Sequence, residues 1–472
     1  MNAKDIKFSQ RVGHPQGKSH KRIVSILIAT LILICAIAMP SILSRGGSVR
    51  PVEPMHAYPD FPADAVPRLV SCRQLSALSG FQSPKPVVSA DQNGNVVVLA
   101  HGFVNSPLGS DILLWRSSDR GVTWDLPRNL TNLAKSGKIE FDPWLESDRR
   151  ESYYSVYASR ADGSIVFCSS HDGGKVWAEG RRLLWRHADR PVLGISPDGM
   201  RLVIAASMAE LAADASTDVL DPKAADFAQK LRERYRVSAG IFVSEDQGNH
   251  WKRTPSPFGD NRQAIPFAAT IDSTGLIAAT WILEGEGSSS AVSVSSDGGN
   301  TWHETLLVQS LQKDRNHPFN GERFPVIAGN SVSGLHVACV NPEMRSLQYH
   351  NSKDGRNWSR PVSLSSRSAE EIRMAAIDAI GPFAHVMWME RVGVTWHVWL
   401  RSSRDFGKTW SEPLCLSASI QFSDDTTASG FAIYGDDDQS SLRDDGQGRI
   451  HAVWCITGGR VLHCIVEMGD AR

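Results

Sequence analysis

Six cationic side chains stand at equivalent places along this chain. Lys85, Arg190, Arg262, Arg323, Arg373 and Arg443 each lie at or just before the start of a recurring apolar segment. Guanidinium forks match carboxylate and sulfate oxygens in pairs. Cations gathered in one cleft focus potential there and favour an anionic ligand. Acids are interleaved with them, at Asp142, Asp189, Asp260, Glu322, Glu371 and Asp444. The set therefore reads either as an anion-binding ring or as local ion pairs. Two carboxylates flanking a glycosidic bond suit hydrolysis. The candidates are Asp142, Asp189, Glu284 and Glu390, the last two closing the runs TWIL and MWM. Trp115, Trp144, Trp281, Trp388 and Trp396 offer planes for sugar stacking, or core. There is no nucleophile-elbow Ser motif, no C-x-x-C and no His-x-x-x-His, so no cofactor and no metal are expected.

Something must bring these residues together, and the chain is built of repeats. Seven segments share a form: Pro-x-apolar, a turn with Gly, then an apolar run. Examples are KPVVSADQNGNVVVLA from Lys85, RPVLGISPDGMRLVIAA from Arg190 and SLRDDGQGRIHAVWCI from Ser441. Each reads as two short strands joined by a turn. Six octets follow the first six segments. They are Ser117–Trp124, Ser170–Trp177, Ser244–Trp251, Ser295–Trp302, the shortened Ser352–Trp358, and Ser403–Trp410. Their tryptophans are 53, 74, 51, 56 and 52 residues apart, a period that signals a repeat architecture. In each octet an Asp (Asp119, Asp172, Asp246, Asp297, Asp354, Asp405) can bond backbone groups two residues on, and a Gly supplies positive φ. The octets are read as structural turns.

These octets look like Asp boxes, S-x-D-x-G-x-x-W, and the chain resembles the BNR-repeat, sialidase-like β-propellers. The resemblance implies an all-β propeller with each box between the third and fourth strands of a blade. Seven inner hairpins give seven blades, six being the alternative count. A segment near Cys72–Leu78 would supply the missing outer strand of the last blade and close the ring. The resemblance also implies a sugar carboxylate held by three arginines, a Tyr–Glu nucleophile pair and an Asp acid. Arg323 and Arg373 match the positions of that triad. Lys85-Pro86-Val87 stands where the family has Arg-Ile-Pro. Gln439-Ser440-Ser441-Leu442 stands where the family has Tyr-Ser-x-Leu, with Tyr434 five residues earlier. The long step between the second and third boxes comes from an insert over 208–236. There Asp221-Pro222 forms a helix start, and Phe227, Leu231 and Tyr235 form a helical stripe. The family topology puts this insert on the ligand face.

The chain has 472 residues, 41% of them apolar, and a formal charge of −1. This allows a large folded domain over 71–472 and gives no electrostatic reason to expect nucleic acid. Residues 23–43 carry no charge and follow a basic stretch over 1–22, the pattern of a membrane span with a cytoplasmic N-terminus. An uncleaved anchor is expected, a cleaved signal peptide being the alternative. Either way the propeller is extracytoplasmic, and 44–70 reads as a linker. An exported compartment permits a disulfide. Cys455 and Cys464 flank a Gly-Gly turn, and Cys72 would lie near both. The functional expectation is a propeller that binds an acidic carbohydrate or glycoconjugate and hydrolyses it. The rival is a non-catalytic propeller that scaffolds a protein partner at the membrane.

Overall fold

A computed structural model describes residues 65–76, 85–102, 111–135, 140–159, 162–183, 188–211, 235–259, 262–284, 288–310, 325–329, 332, 334–393, 395–418, 441–456 and 460–469. Its strands form seven four-stranded antiparallel sheets. In six of them the order along the sheet is the order along the chain. The first strands are Val87–Ala90, Glu140–Ser147, Ala188–Ile195, Ala264–Ile271, Val326–Gly329 and Glu371–Ile380, in blades 1 to 6. The seventh sheet combines Ser441–Asp444, Arg449–Ile456 and Arg460–Gly469 with Val66–Ser76, which supplies the outer strand. First strands of successive blades pack against one another, and that of blade 7 packs against that of blade 1. The seven-blade count holds and the six-blade alternative falls.

The core is a ring of seams. Seven apolar clusters each join residues of two neighbouring blades, such as Val156, Phe167, Ile204 and Phe242 between blades 2 and 3. The last seam joins Val88 and Val98 of blade 1 to Val453 and Val461 of blade 7. A middle strand is therefore covered on both faces. This explains why runs such as Val96–Ala100 are apolar throughout instead of alternating. At the axis the strands close in on each other. A Cβ on Gly194 would lie 2.5 Å from the Thr270 backbone, so only glycine fits there.

The octets are turns. In the first, the Ser117 hydroxyl donates to Asp119 Oδ1 at 2.7 Å and accepts the Gly121 amide at 2.9 Å. Asp119 also accepts the Thr123 amide at 2.8 Å. The same Ser–Asp–Gly geometry recurs at Asp172, Asp246, Asp297, Asp354 and Asp405. Each turn also keys its blade to the preceding one: a Cβ on Gly174 would strike Val97, and one on Gly355 would strike Val294.

Three expectations change. Strand pairing extends from Leu202 to Leu211 and resumes at Tyr235. The ends of the proposed 208–236 insert are thus strand, and Tyr235 belongs to no helical stripe. Residues 212–234 lie outside the described residues. Cys464 pairs in register with Cys72, and the two form the disulfide. Cys455 faces Val461 instead and is buried outside the disulfide. The closing strand, Val66–Ser76, starts earlier than the Cys72–Leu78 segment. The one helix among the described residues is Leu130–Leu133, capped by Asn129. None of the described helices is long and apolar enough to cross a membrane. The expected span over 23–43 lies outside the described residues.

Candidate functional site

Antiparallel alternation gives the propeller two rims. The boxes and the turns after the first strands share one, the box rim. The starts of the first strands and the second-to-third connections share the other, the mouth rim. Lys85, Asp142, Asp189, Arg190, Arg262 and Arg373 stand at or just before first strands and so at the mouth rim, and there the backbone is irregular. The first strands of blades 2, 3, 4 and 6 each contain a register shift, between Phe141 and Trp144, Asp189 and Val192, Pro266 and Ala268, and Arg373 and Ala376. Lys85, Asp142, Arg190 and Met374 have φ of 43°, 53°, 50° and 54°. Such left-handed non-glycine positions cost of order 1–3 kcal/mol each and cluster at binding sites. Bulges likewise re-aim side chains. Proline follows three of the four, at Pro86, Pro143 and Pro191.

Blades 1 to 3 bring four charges together here. The Lys85 ammonium donates to Asp142 Oδ1 at 2.5 Å, and both side chains are nearly buried. Burial alone would raise the Asp142 pKa. Lys85, Arg190, the hydrogen bond from Lys85 and His101 together outweigh it and bring the carboxyl down to about 2. Asp189 shifts the other way. Its crowded seat and the Asp142 charge raise its pKa against the pull of Arg190 and Lys85. Its side chain still meets solvent, which limits the shift. The result is a carboxylate held ionised beside a carboxyl whose pKa is raised. His101, at the end of the second strand of blade 1, completes the group. It lies toward the same end of its strand as Glu284 and Glu390, but no apolar-then-acid pattern marks it.

Below this cluster, the Trp144 indole packs against three of the apolar seams, between blades 2 and 3, 3 and 4, and 4 and 5. Trp144, of the five stacking candidates, is the one that lines the axis. Trp115, Trp281 and Trp388 are core. The axial cavity holds about 970 Å³ of space, open solvent included, and is lined by first strands of all seven blades. Its charges answer one another. Arg443 donates to Glu146 Oε2 at 2.9 Å and to the Ser147 carbonyl at 2.8 Å. Arg149 donates to both Asp378 oxygens at 2.7 and 2.9 Å, and also to the Asp444 carbonyl. Burial would raise the Asp378 pKa, but Arg149 and Arg443 hold it down. This layer ties blades 2, 6 and 7 across the axis. Most of its charges are answered within the layer, although Arg443 Nε has no hydrogen-bond partner, so the mouth cluster is the better ligand site.

The remaining predicted residues scatter. Arg373 pairs with Glu371 and lies over the Trp396 ring at 5.4 Å, with Arg391 also over that ring at 6.0 Å. Arg262 donates from one nitrogen, Nη1, to both Glu304 oxygens at 2.8 and 3.0 Å. Arg443 belongs to the axial layer. The five described cations therefore do not form one ring. Glu390 is buried and accepts the Trp388 indole N–H at 2.9 Å and the Ser366 amide at 3.2 Å, away from the mouth cluster. Glu284 ends the second strand of blade 4, and its side chain lies outside the described residues. So do Arg323, Tyr434, Asp260 and Glu322.

No family model matches the chain, and no curated protein does. Solved structures do. The Hadza microbial sialidase Hz136 aligns over 82% of this chain, at 14% identity and a TM-score of 0.43, and the match spans 66% of that sialidase, just under two thirds. The α-L-arabinanase of Penicillium chrysogenum, complexed with arabinobiose, aligns over 87% of this chain and 100% of its own at 11% identity and 0.44. An ulvan lyase, described as a new family of polysaccharide lyase, aligns over 84% and 96% at 10% identity and 0.48. The neighbours are thus sialidase, glycosidase and lyase propellers. At these identities and scores they carry no argument, and both fold and chemistry rest on this chain's own strands and residues.

Proposed function

We propose that this propeller binds an acidic glycan at the mouth rim of blades 1 to 3 and that Asp142 and Asp189 make the site hydrolytic. The observation that carries the reading is the convergence of Lys85, Asp142 and Arg190, each in a left-handed conformation, from three successive blades. Strain of this kind persists only where the surroundings enforce it. Two cations beside one fixed carboxylate leave a positive excess whenever Asp189 is neutral, and this suits a uronate, sialate or sulfate group. The split pair also suits acid–base chemistry. Asp189 has the raised pKa and solvent access of a proton donor, and Asp142 remains an anion that can stabilise developing positive charge.

The test uses the full chain against uronate-containing, sialylated, sulfated and neutral glycans, with binding by calorimetry and turnover on fluorogenic glycosides. Acidic glycans should bind in preference to neutral ones, and binding should weaken with salt. Arg190→Ala should weaken binding at least tenfold, about 1.4 kcal/mol. Asp189→Asn should abolish turnover and leave binding within a few-fold. Equal binding of neutral glycans, or full binding by Arg190→Ala, would end the reading. Turnover surviving in Asp189→Asn would remove the catalytic half alone.

A further inference from the structure

Each Asp box sets its glycine against a side chain of the preceding blade. A Cβ on that glycine would strike Val97 from box 2, Phe167 from box 3, Thr254 from box 4, Val294 from box 5 and Tyr349 from box 6. None of these seats changes charge near neutral pH. Box 1 differs. A Cβ on Gly121 would lie 2.8 Å from His463 and 3.3 Å from His451. Both histidines belong to blade 7. Of the six boxes, the one seated on imidazoles is therefore the one that closes the ring.

The two imidazoles form a fully buried pair. Their rings stack with centroids 5.3 Å apart, and His451 Nδ1 lies 3.1 Å from His463 Nε2. One of these nitrogens donates and the other accepts. The outer nitrogens, His451 Nε2 and His463 Nδ1, find no hydrogen-bond partner among the described residues. Trp124, which ends box 1, meets His463 edge-on at 4.9 Å and packs on the apolar seam of blades 7 and 1. Three cations face the pair. Arg120 of box 1 donates to Asp445 Oδ2 at 2.7 Å and to the Gln447 carbonyl at 3.1 Å. Arg449, on the strand of His451, donates to the Arg120 carbonyl at 3.1 Å and to Glu467 at 2.8 Å. Arg73 of the closing strand donates to the Val122 carbonyl at 2.6 Å. The acid that reaches the pair is Asp445, 4.0 Å from His451 Nε2. It already accepts from Arg120 and from the Gln447 and Arg449 amides. Behind it, Asp444 lies 3.2 Å from His385. The other acids of the box 1 segment are engaged elsewhere, Asp119 with the Thr123 amide and Asp125 with Arg116. Burial lowers both imidazole pKa values, to about 3 at His463. The second imidazole, Arg449 and Arg120 add to this at His451, and Arg73 adds to it at His463.

We propose that the seam between blades 7 and 1 is an acid-released latch, in which protonation of His451 and His463 unseats box 1 and opens the ring at that seam. A doubly protonated pair carries a proton on both inner nitrogens and loses its mutual bond. It would also bury two cations beside an acid that is already engaged. The open form takes up these protons at the ordinary imidazole value of about 6.5, the closed form only well below it. The latch is therefore whole above that pH and weakens as pH falls below it. The Cys72–Cys464 disulfide joins two strands of blade 7 and does not cross this seam.

Thiol labelling tests this on the full chain. Val88→Cys places a thiol on the seam of blades 7 and 1, and native Cys168 is a buried thiol on the seam of blades 1 and 2. Labelling by dithiodipyridine is read by mass spectrometry at pH 7.5 and pH 5.5. Each rate is divided by that of a free cysteine peptide at the same pH, which gives the protection of each site. Two protons taken up on opening amount to about a hundredfold over this interval. Protection at Val88→Cys should fall by about that factor, with Cys168 at least roughly tenfold better protected at both pH values. Adding His451→Gln removes one of the two protons and should reduce the fall to about tenfold. Protection at Val88→Cys that changes by less than about threefold would overturn the proposal. So would equal protection of the two sites at pH 5.5, which would mean unfolding of the whole ring. An undiminished fall in His451→Gln would overturn it as well. Should that variant not fold, His463→Gln takes its place, and the pH response of the chain with both histidines still decides.

Discussion

Asp142 is held by opposed forces. Burial favours its neutral form, while Lys85 and Arg190 favour the anion and prevail. Its folded pKa of about 2 lies below the ordinary 3.8. A depressed carboxyl contributes stability at all pH above its unfolded value, and loses it as pH falls through the folded value. The difference is worth about 2 kcal/mol and should disappear between roughly pH 4 and pH 2. Asp142→Asn should lose that contribution at neutral pH and leave the Lys85 ammonium nearly buried without its partner. We expect a destabilisation of about 2–3 kcal/mol at pH 7. Between pH 4 and pH 2 the gap to the parent should close. Chemical denaturation across that range is the measurement, and a gap that stays constant with pH would contradict the assignment. Asp189 bears on ligand affinity instead. Its pKa is raised, so acidification adds positive charge to the mouth and should tighten anion binding.

The repeating elements differ in how far their sequence discloses them. A box is local: Ser, Asp and Gly within a few residues satisfy one another, so the octets could be recognised as turns without any partner. The seven inner hairpins were legible for the same reason. The mouth bulges were not. A register shift is a property of two strands, and the sequence marks it only by the dipeptides Asp142-Pro143, Arg190-Pro191 and Ile265-Pro266, with none at the shift of blade 6. The axial pairs were hidden further still. Arg149 and Asp378 are 229 residues apart, and Arg443 and Glu146 are 297 apart. Arg443 thus read as a ligand-binding cation when it is a tie between blades. Box glycines combine a local and a distant demand, and two substitutions separate them. Gly298 and Gly407 have φ of 72° and 79°. A Cβ on Gly298 meets nothing within 4 Å, whereas one on Gly407 runs into the Tyr349 hydroxyl of the preceding blade. Gly298→Ala should cost about 1 kcal/mol, the penalty of the left-handed conformation alone. Gly407→Ala should cost roughly 3 kcal/mol or more, because the blade seam must also open. Equal shifts in denaturation midpoint would show that the boxes only shape their own turns.

At the scale of the ring, the problem is closure. Six blades are each built from one continuous stretch, and the seventh recruits Val66–Ser76 from before the first blade. Its third strand, Arg460–Gly469, pairs with that segment along nearly its whole length. Leu69 and Cys72 pack on the seam between blades 6 and 7, and Leu75 on the seam between blades 7 and 1. This pairing is the most distant contact the fold must make, so it carries the largest loop-closure entropy. The Cys72–Cys464 disulfide spans 392 residues at that place. In the chain-entropy account, a cross-link of this span destabilises the unfolded state by about 6 kcal/mol, above what most disulfides contribute. Cys72→Ser with Cys464→Ser should lower the unfolding free energy by several kcal/mol and raise the denaturant slope, since the freed chain exposes more surface. Hydrogen exchange should locate the first opening at residues 66–76, while amides of blades 3 and 4, across the ring, keep their protection until global unfolding. If exchange instead accelerated equally in all seven blades, closure would be a property of the whole ring, and the cross-link would only reinforce a seam that packing already holds.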